Sequence, residues 1–227
     1  MVSFSMEGRT FCKKFLPLRL KPTAMIMSIT DAITAQIESA QQGDVFFVSD
    51  FAKSGNDVFI SRVLSELVDK GKLDRLAIGI YYKPQSTDFG LLKPSVDQIV
   101  KAIARRDHAQ VMPTGLTAEN RLGLSTQVPM SYVYLTTGSA RNIIIGNRKI
   151  VFKRCVPKNF AFKGKLMPVL IQAMKSIGKK NVTEKQIDHI KGLLRKYPEN
   201  ETFEHDLALA PIWIKKILSK IQKELTL

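Results

Sequence analysis

The fold of the N-terminal part is decided by one segment, Ile60-Ser-Arg-Val-Leu-Ser-Glu-Leu-Val-Asp-Lys-Gly-Lys-Leu-Asp-Arg-Leu76. Apolar residues recur in it at spacings of three and four, which predicts a helix with one buried face and one polar face. Lys70 and Gly71 are typical of the last turn and the end of such a helix. The residues after Gly71 predict two short strands around a tight turn, which Pro84 ends. The segment therefore predicts a helix that continues into a β-hairpin.

The residues before this helix supply the other elements of a winged helix-turn-helix. A first helix is predicted from Ser28, and Gly43 ends it. Residues 44–48 predict a short strand, and a brief second helix is predicted from Ser49. The order helix, strand, helix, turn, helix, hairpin lets the last helix enter the DNA major groove while the hairpin contacts the backbone. We therefore predict a winged-helix DNA-binding domain over residues 28–84.

Seven side chains of this domain are candidates for DNA contact. Ser61 and Arg62 lie in the first exposed turn of the last helix, and Asn56 lies at its start. An arginine can donate two hydrogen bonds to O6 and N7 of guanine, and a serine can bond to a base or a phosphate. Contacts to phosphate position a domain without specifying sequence. The candidates for that role are Lys53, Lys72, Arg75 and Lys83.

The charge of the chain is unevenly distributed. The net charge is +15, which favours a polyanionic partner. Residues 29–84 nevertheless hold six basic against eight acidic side chains, whereas residues 85–227 hold 24 against 11. The predicted winged helix could therefore serve protein contacts. It could equally bind DNA if the basic second domain or a homodimer partner supplies the attraction to phosphate.

The second part of the chain predicts an α+β domain over residues 90–227, after a short polar linker at 85–90. Strands follow one another without alternating helices, so we expect a small antiparallel sheet. One face of its last strand mixes basic and apolar side chains, as either a solvated face or a partner-binding face would. The predicted elements are helices over 94–107 and 115–122, strands over 109–112, 131–136, 141–145 and 148–154, and a helical tail from about residue 163.

The termini and the two cysteines exclude several classes of protein. Residues 1–27 form a basic extension that we expect to be disordered, and its apolar run is too short for a secretory signal. No window approaches the roughly 18 consecutive apolar residues of a membrane span. Cys12 and Cys155 lie far apart in sequence and predict neither a metal site nor a disulfide. Reduced thiols without a membrane segment predict a cytoplasmic protein.

A search for catalytic motifs gives no candidate active site. The phosphate-binding loop, the nucleophile elbow and paired metal-binding histidines are all missing from the sequence. The three histidines have no companions at metal-ligand spacing, and we interpret Glu204-His205-Asp206 as a solvated helix face. We therefore predict no enzyme activity, no metal and no cofactor.

Five stretches of the sequence are shared with a known family. They are Ser61 to Leu76, Gly79-Ile-Tyr-Tyr-Lys-Pro84, Ile103-Ala-Arg-Arg-Asp107, Asn120-Arg-Leu-Gly-Leu-Ser-Thr-Gln-Val-Pro129 and Tyr134-Leu-Thr136. Together they resemble the AbiEi-type antitoxins of bacterial type IV toxin–antitoxin systems, over roughly residues 28 to 160. The resemblance implies a winged helix that binds and represses the promoter of its own operon. It also implies a second domain that counteracts a cognate nucleotidyltransferase toxin, with or without direct contact.

Two functions therefore follow from the sequence. The first is an autorepressing antitoxin with promoter DNA and a toxin as partners. The alternative is a winged-helix RNA-binding or protein-adaptor module without specific DNA sites, which the acidic balance of residues 29–84 favours. A nuclease-like enzyme is a third hypothesis, which metal-dependent cleavage would support.

Overall fold

The computed structural model describes residues 28–88, 90–198 and 200–226, and over them the chain is a mixed α+β protein. The described residues form eight α-helices and nine strands in three small sheets. The α+β class predicted from the sequence is confirmed. The basic extension at 1–27 lies outside the described residues.

The N-terminal unit, residues 28–84, combines two helices with a three-stranded antiparallel sheet of order β1-β3-β2. The Ser28 hydroxyl accepts a hydrogen bond from the backbone N–H of Asp31, and the Asp31 carboxylate accepts one from the backbone N–H of Ser28. This capping box fixes the start of α1. Gly71 ends α2 at a φ of +69°, where a side chain would be strained. The elements are α1 (Ile29–Ser39), β1 (Val45–Phe47), α2 (Asp57–Asp69), β2 (Asp74–Ala77) and β3 (Ile80–Tyr82).

The brief second helix predicted from Ser49 is a single 3-10 turn, Val48–Phe51. The Asp50 carboxylate accepts a hydrogen bond from the backbone N–H of Phe47 at 2.9 Å, which starts the turn. Only five residues separate this turn from α2, and Asn56 already caps the next helix. The chain therefore has no length for a full α-helix at this position.

The apolar face predicted for α2 is confirmed as the core of the N-terminal unit. Ile60, Val63, Leu64 and Leu67 are all buried. They pack in one cluster with α1 and with the sheet. Residues 85–92, predicted to begin with a linker, instead form a hairpin of β4 (Gln85–Thr87) and β5 (Gly90–Leu92).

The four-stranded sheet of residues 111–154, called the second sheet below, is mixed, which corrects the prediction of an antiparallel sheet. Its order is β6-β7-β9-β8, and β7 pairs with β9 in parallel while the other two pairs are antiparallel. The predicted hairpin turn at Gly146 joins β8 to β9, and β9 lies between β7 and β8 in the sheet. Strand lengths in the sequence do not reveal this pairing order. The elements are α3 (Val96–Arg106), β6 (Val111–Pro113), α4 (Leu116–Arg121), β7 (Ser131–Thr136), β8 (Arg141–Ile145) and β9 (Arg148–Arg154).

One hydrophobic cluster joins the N-terminal unit to the second sheet. Phe47 and Tyr82 pack in it with Ile103 of α3 and Phe152 of β9. The Arg106 guanidinium lies 4.3 Å from the centre of the Phe47 ring, within the range of a cation–π contact. The N-terminal sheet and the second sheet therefore pack against a common hydrophobic core.

The predicted helical tail forms four helices around a cluster that also includes Ala118 of α4 and Leu124 after it. Asp206 has no exposed surface and accepts backbone N–H bonds from Lys163 at 2.8 Å and Gly164 at 2.7 Å. Burial raises its pKa, but these bonds and the contact with His205 outweigh burial and hold the pKa below its ordinary value. The solvated face predicted for this segment is therefore wrong at Asp206. The helices are α5 (Leu166–Ile177), α6 (Glu184–Lys196), α7 (Asn200–Ala208) and α8 (Ile212–Thr226).

Candidate nucleic-acid interface

The outward face of α2 is the surface on which most of the predicted recognition residues lie. Its buried residues follow the spacing of three and four, so the remaining positions face away from the core. Arg62 and Ser65 are exposed there and Ser61 is half-buried. Asn56 is exposed at the start of the helix, where its side-chain oxygen accepts a hydrogen bond from the N–H of Phe59 at 2.8 Å.

Arg62 is the most accessible of the candidates for base contact, with 79% of its side chain exposed. Its Nε lies 3.2 Å from a carboxylate oxygen of Glu66, one turn along the helix. An exposed pair of this kind contributes about 0.3–0.5 kcal/mol. The pair with Glu66 therefore costs little to break, and the guanidinium is available to another partner.

Two of the predicted phosphate contacts are engaged within the N-terminal unit. Lys72 pairs with Glu38 at 2.5 Å, and the hydrogen bond from Lys72 holds the pKa of Glu38 below its ordinary value. The Lys83 ammonium donates to the backbone oxygens of Glu38 at 2.7 Å and Ala40 at 2.8 Å. These oxygens belong to the C-terminal end of α1, which has no further helical N–H to bind them. Lys83 therefore stabilises the helix end, and Lys72 reaches a phosphate only by leaving Glu38.

The other two predicted phosphate contacts are exposed. Lys53 lies in the turn before α2, and no ion pair links it to another described residue. The Arg75 Nε lies 3.4 Å from the backbone oxygen of Ala77, and its guanidinium lies 6.0 Å from the centre of the Tyr81 ring. Both cations are therefore accessible to a backbone phosphate.

Three exposed apolar side chains were missed by the sequence analysis. Val58 is 81% exposed and Phe59 is 39% exposed, both in the first turn of α2. Ile78, between β2 and β3, is 91% exposed. Apolar side chains can contact the thymine methyl group in the major groove, and exposed apolar groups also mark protein-binding surfaces. The signal was available, since Val58 falls on the polar face of the predicted helix.

The hairpin of the N-terminal unit lies beside the basic second sheet. Ile78 and Ile144 line one cleft of about 480 Å³ between them, together with Arg106 and Arg141. Asp107 accepts a hydrogen bond from Arg106 at 2.9 Å and also pairs with Arg141. One carboxylate therefore serves two guanidinium groups at this junction.

The second sheet exposes a row of cations on the side opposite the shared core. Ile150 and Phe152 of β9 are buried, so the alternate residues Lys149 and Lys153 point to the other face and are exposed. Neither lysine forms an ion pair with another described residue. This outer face is the mixed basic and apolar face that the sequence predicted on β9, and Ile144, opposite Lys149, is 68% exposed.

The described residues contain no group of three or more His, Cys, Asp or Glu side chains that could hold a metal ion. Among the helices at 28–88, 90–198 and 200–226, none is both long and apolar enough to cross a bilayer. Cys155 is a free, half-buried thiol. Cys12 lies outside the described residues.

A comparison with family models identifies a family for this chain. The model of a family of unknown function, DUF6088, matches residues 32–202, which is about three quarters of the chain. This span includes α2, all three sheets and the first two helices of the tail. No curated protein matches the sequence.

Proposed function

This chain belongs to the DUF6088 family of unknown function, and we propose that it is a sequence-specific DNA-binding regulator of its own promoter. In this proposal residues 28–84 act as a winged helix-turn-helix, with α2 in the major groove and the β2–β3 hairpin as the wing. The observation that supports it most is the outward face of α2. There Arg62 is held by one weak ion pair next to the exposed Val58 and the polar Ser61 and Ser65.

The charge distribution assigns different roles to the two sheets. Of the four predicted phosphate contacts in the N-terminal unit, Lys53 and Arg75 are accessible without breaking an ion pair, and acidic side chains lie in the same unit. Because each phosphate contact releases counterions, affinity for DNA scales with the number of cations that reach the backbone. We propose that α2 supplies specificity and that Lys149 and Lys153, or a second copy of the chain on a symmetric site, supply much of the remaining affinity.

We further propose that the chain is the antitoxin of a type IV toxin–antitoxin system, a non-enzymatic cytoplasmic protein that counteracts a cognate nucleotidyltransferase toxin. The support is the resemblance over residues 28 to 160. Its stretch at 120–129 joins α4 to β7, and its stretch at 103–107 ends α3 at the junction of the two sheets. A basic second domain is compatible with an acidic surface on a toxin.

A protein-adaptor function is the second candidate, and the cleft beside the hairpin favours it. Ile78 and Ile144 are exposed in this cleft. Phe59, on α2, is a further apolar side chain that is partly exposed. Exposed apolar side chains of this size are enriched where proteins bind one another. In that case α2 would bind a protein and would not distinguish DNA sequences.

A reporter assay separates the two candidates. The DNA upstream of the gene drives a reporter, and the full chain is supplied in trans. We expect repression by the wild type, its loss in Arg62→Ala, and full repression by Arg195→Ala, which removes an equal charge from an exposed position on α6. Equal reporter activity with and without the wild-type chain would reject promoter regulation and favour the adaptor.

The antitoxin role is tested by growth. A nucleotidyltransferase-like gene adjacent to this gene is expressed with and without the chain. We expect growth arrest in its absence and growth in its presence, also with Arg62→Ala, because the DNA-contacting residue is separate from the second domain. Arrest that the wild-type chain does not relieve would contradict the antitoxin role.

A further inference from the structure

A cavity of about 440 Å³ lies between the second sheet and the first helix of the tail. Its lining comes from α3, β6, α4 and β7, from the segment after β9, and from α5. This volume lies within the range of about 300–1,000 Å³ that is usual for small-molecule sites. The cavity is remote in sequence from α2, and neither proposed function uses it.

A buried hydroxyl and two charged side chains fix one wall of the cavity. The Tyr134 hydroxyl donates to Oδ1 of Asp97 at 3.1 Å, and Arg121 donates to Oδ2 of Asp97 at 2.9 Å. Burial and the charge of Asp97 raise the pKa of Tyr134, so the hydroxyl keeps its proton. Because one Arg121 nitrogen holds Asp97, the guanidinium retains further N–H donors.

Three more polar side chains line the cavity with spare hydrogen-bonding capacity. Lys101, one turn after Asp97 on α3, forms no ion pair with another described residue. The amide side chains of Gln110 and Asn159 likewise form no hydrogen bond within the described part of the chain. An amide offers both a donor and an acceptor, which suits the edge of a nucleobase. Lys101 and Arg121 suit an anionic group.

The remaining walls are apolar and include two aromatic rings. Phe160 and Phe162 follow β9, and Met112 and Val169 complete the lining from β6 and α5. Aromatic rings and aliphatic side chains are the surfaces against which proteins stack unpaired bases. The cavity therefore offers an apolar slot, amides for a base edge and two cations for a phosphate.

We propose that this cavity binds a nucleotide, with its base between the apolar walls and its phosphate at Lys101 and Arg121. The nucleotide is either a free nucleoside monophosphate or the terminal nucleotide of an RNA strand, which share this chemistry. The proposal is independent of promoter binding, since it involves none of the residues on α2.

Titration calorimetry on the full chain tests the proposal with AMP, GMP, CMP and UMP as separate probes at up to millimolar concentration. We expect one of them to bind with one site per chain. The matching nucleoside without phosphate is expected to bind at least about tenfold more weakly, because it lacks the charge-assisted hydrogen bonds to Lys101 and Arg121. Failure of all four monophosphates and of four short RNA oligonucleotides, each with a different terminal base, would overturn the proposal.

Two variants and a control locate the site. Lys101→Gln removes the charge, and Val169→Phe fills the apolar slot; each should weaken binding about tenfold or more. Lys179→Gln, at an exposed position after α5, removes an equal charge outside the cavity and should leave binding unchanged. Circular dichroism confirms that each variant is folded. Tighter binding of an oligonucleotide that is lost in both variants would identify an RNA end as the ligand, whereas full binding by both variants would reject the cavity as the site.

Discussion

The N-terminal unit and the second sheet share one hydrophobic core, yet they differ in how many of their cations are free to bind a polyanion. The N-terminal unit carries the helix whose side chains could distinguish bases, but two of its cations are held by Glu38 and by the end of α1. The second sheet carries Lys149 and Lys153 on a face where neither pairs with a described acid. In our proposal base recognition and attraction to phosphate therefore reside in different parts of the chain. A shared core is then required to hold the two surfaces in a fixed relation.

The largest expected effect comes from the shared core itself. Ile103→Ala removes a side chain that is 1% exposed in the cluster joining the two sheets. We expect the free energy of unfolding to fall by about 2–5 kcal/mol, because both the buried surface and the packing are lost. Urea unfolding followed by far-ultraviolet circular dichroism and by fluorescence of Trp213 measures it.

The control for this substitution is Ile144→Ala at a position that is 68% exposed. It should change the free energy of unfolding by no more than about 0.5 kcal/mol. Coincident transitions with the two probes are expected for Ile103→Ala. Because Trp213 packs against the core of the helical tail, transitions that already separate in the wild type would show that the tail unfolds independently. A decrease of less than about 0.5 kcal/mol for Ile103→Ala would contradict the shared core.

A smaller effect is expected in the helical tail, at Asp206. Asp206→Asn replaces one acceptor oxygen by a donor that faces backbone N–H groups, and should cost about 1–3 kcal/mol of unfolding free energy. Because the folded state lowers the pKa of Asp206, its ionised form stabilises the fold above the ordinary value of 3.8. This stabilisation is lost as the pH falls below that value.

The pH dependence provides the readout for Asp206. The difference in unfolding free energy between wild type and Asp206→Asn should be largest near neutral pH and shrink below pH 3.8. Asp188→Asn, with a side chain that is 76% exposed, serves as the matched control and should show no such difference. A gap between wild type and Asp206→Asn that is constant with pH would contradict the role of the ionised carboxylate.

The smallest expected effect is on the salt dependence of DNA binding. The double variant Lys149→Gln and Lys153→Gln removes two cations from the second sheet while leaving α2 intact. The slope of log affinity against log salt should become shallower by about 0.9 per phosphate contact, roughly 2 in all. Fluorescence anisotropy with a scrambled duplex over a range of salt concentrations measures the slope.

A charge-matched control is Lys179→Gln with Lys180→Gln, two exposed lysines after α5. This pair should leave the slope near that of the wild type. An equal decrease in both double variants would mean that attraction to DNA is spread over the whole basic region and is not concentrated on β9.

The local elements could be predicted from the sequence, because helix periodicity, caps and turn residues act over a few positions. The buried face of α2 and the hairpin at Gly146 are examples. The parallel pairing of β7 with β9 could not be predicted, because strand order depends on contacts between distant residues. The same reason applies to Asp206, whose burial depends on the backbone at Lys163 and Gly164.

The candidate site was predictable only in part. Ser61 and Arg62 follow from the period of the helix. Lys83 was predicted to contact phosphate because it is basic and lies at the end of the hairpin. Its hydrogen bonds to the end of α1 involve residues more than 40 positions away, which the local sequence does not reveal. The cavity near Tyr134 is lined by six separate segments of the chain, so no single stretch of sequence predicts it.

The most direct test of the account is the ratio of affinities for two duplexes. One contains the DNA upstream of the gene, and the other has the same composition in scrambled order. For the wild type we predict a preference of about 10³-fold or more for the first duplex, as is usual for specific recognition. Arg62→Ala should reduce this ratio about 5- to 150-fold, with little change in binding to the scrambled duplex. A wild-type ratio near one, unchanged in Arg62→Ala, would contradict the claim that α2 recognises DNA sequence.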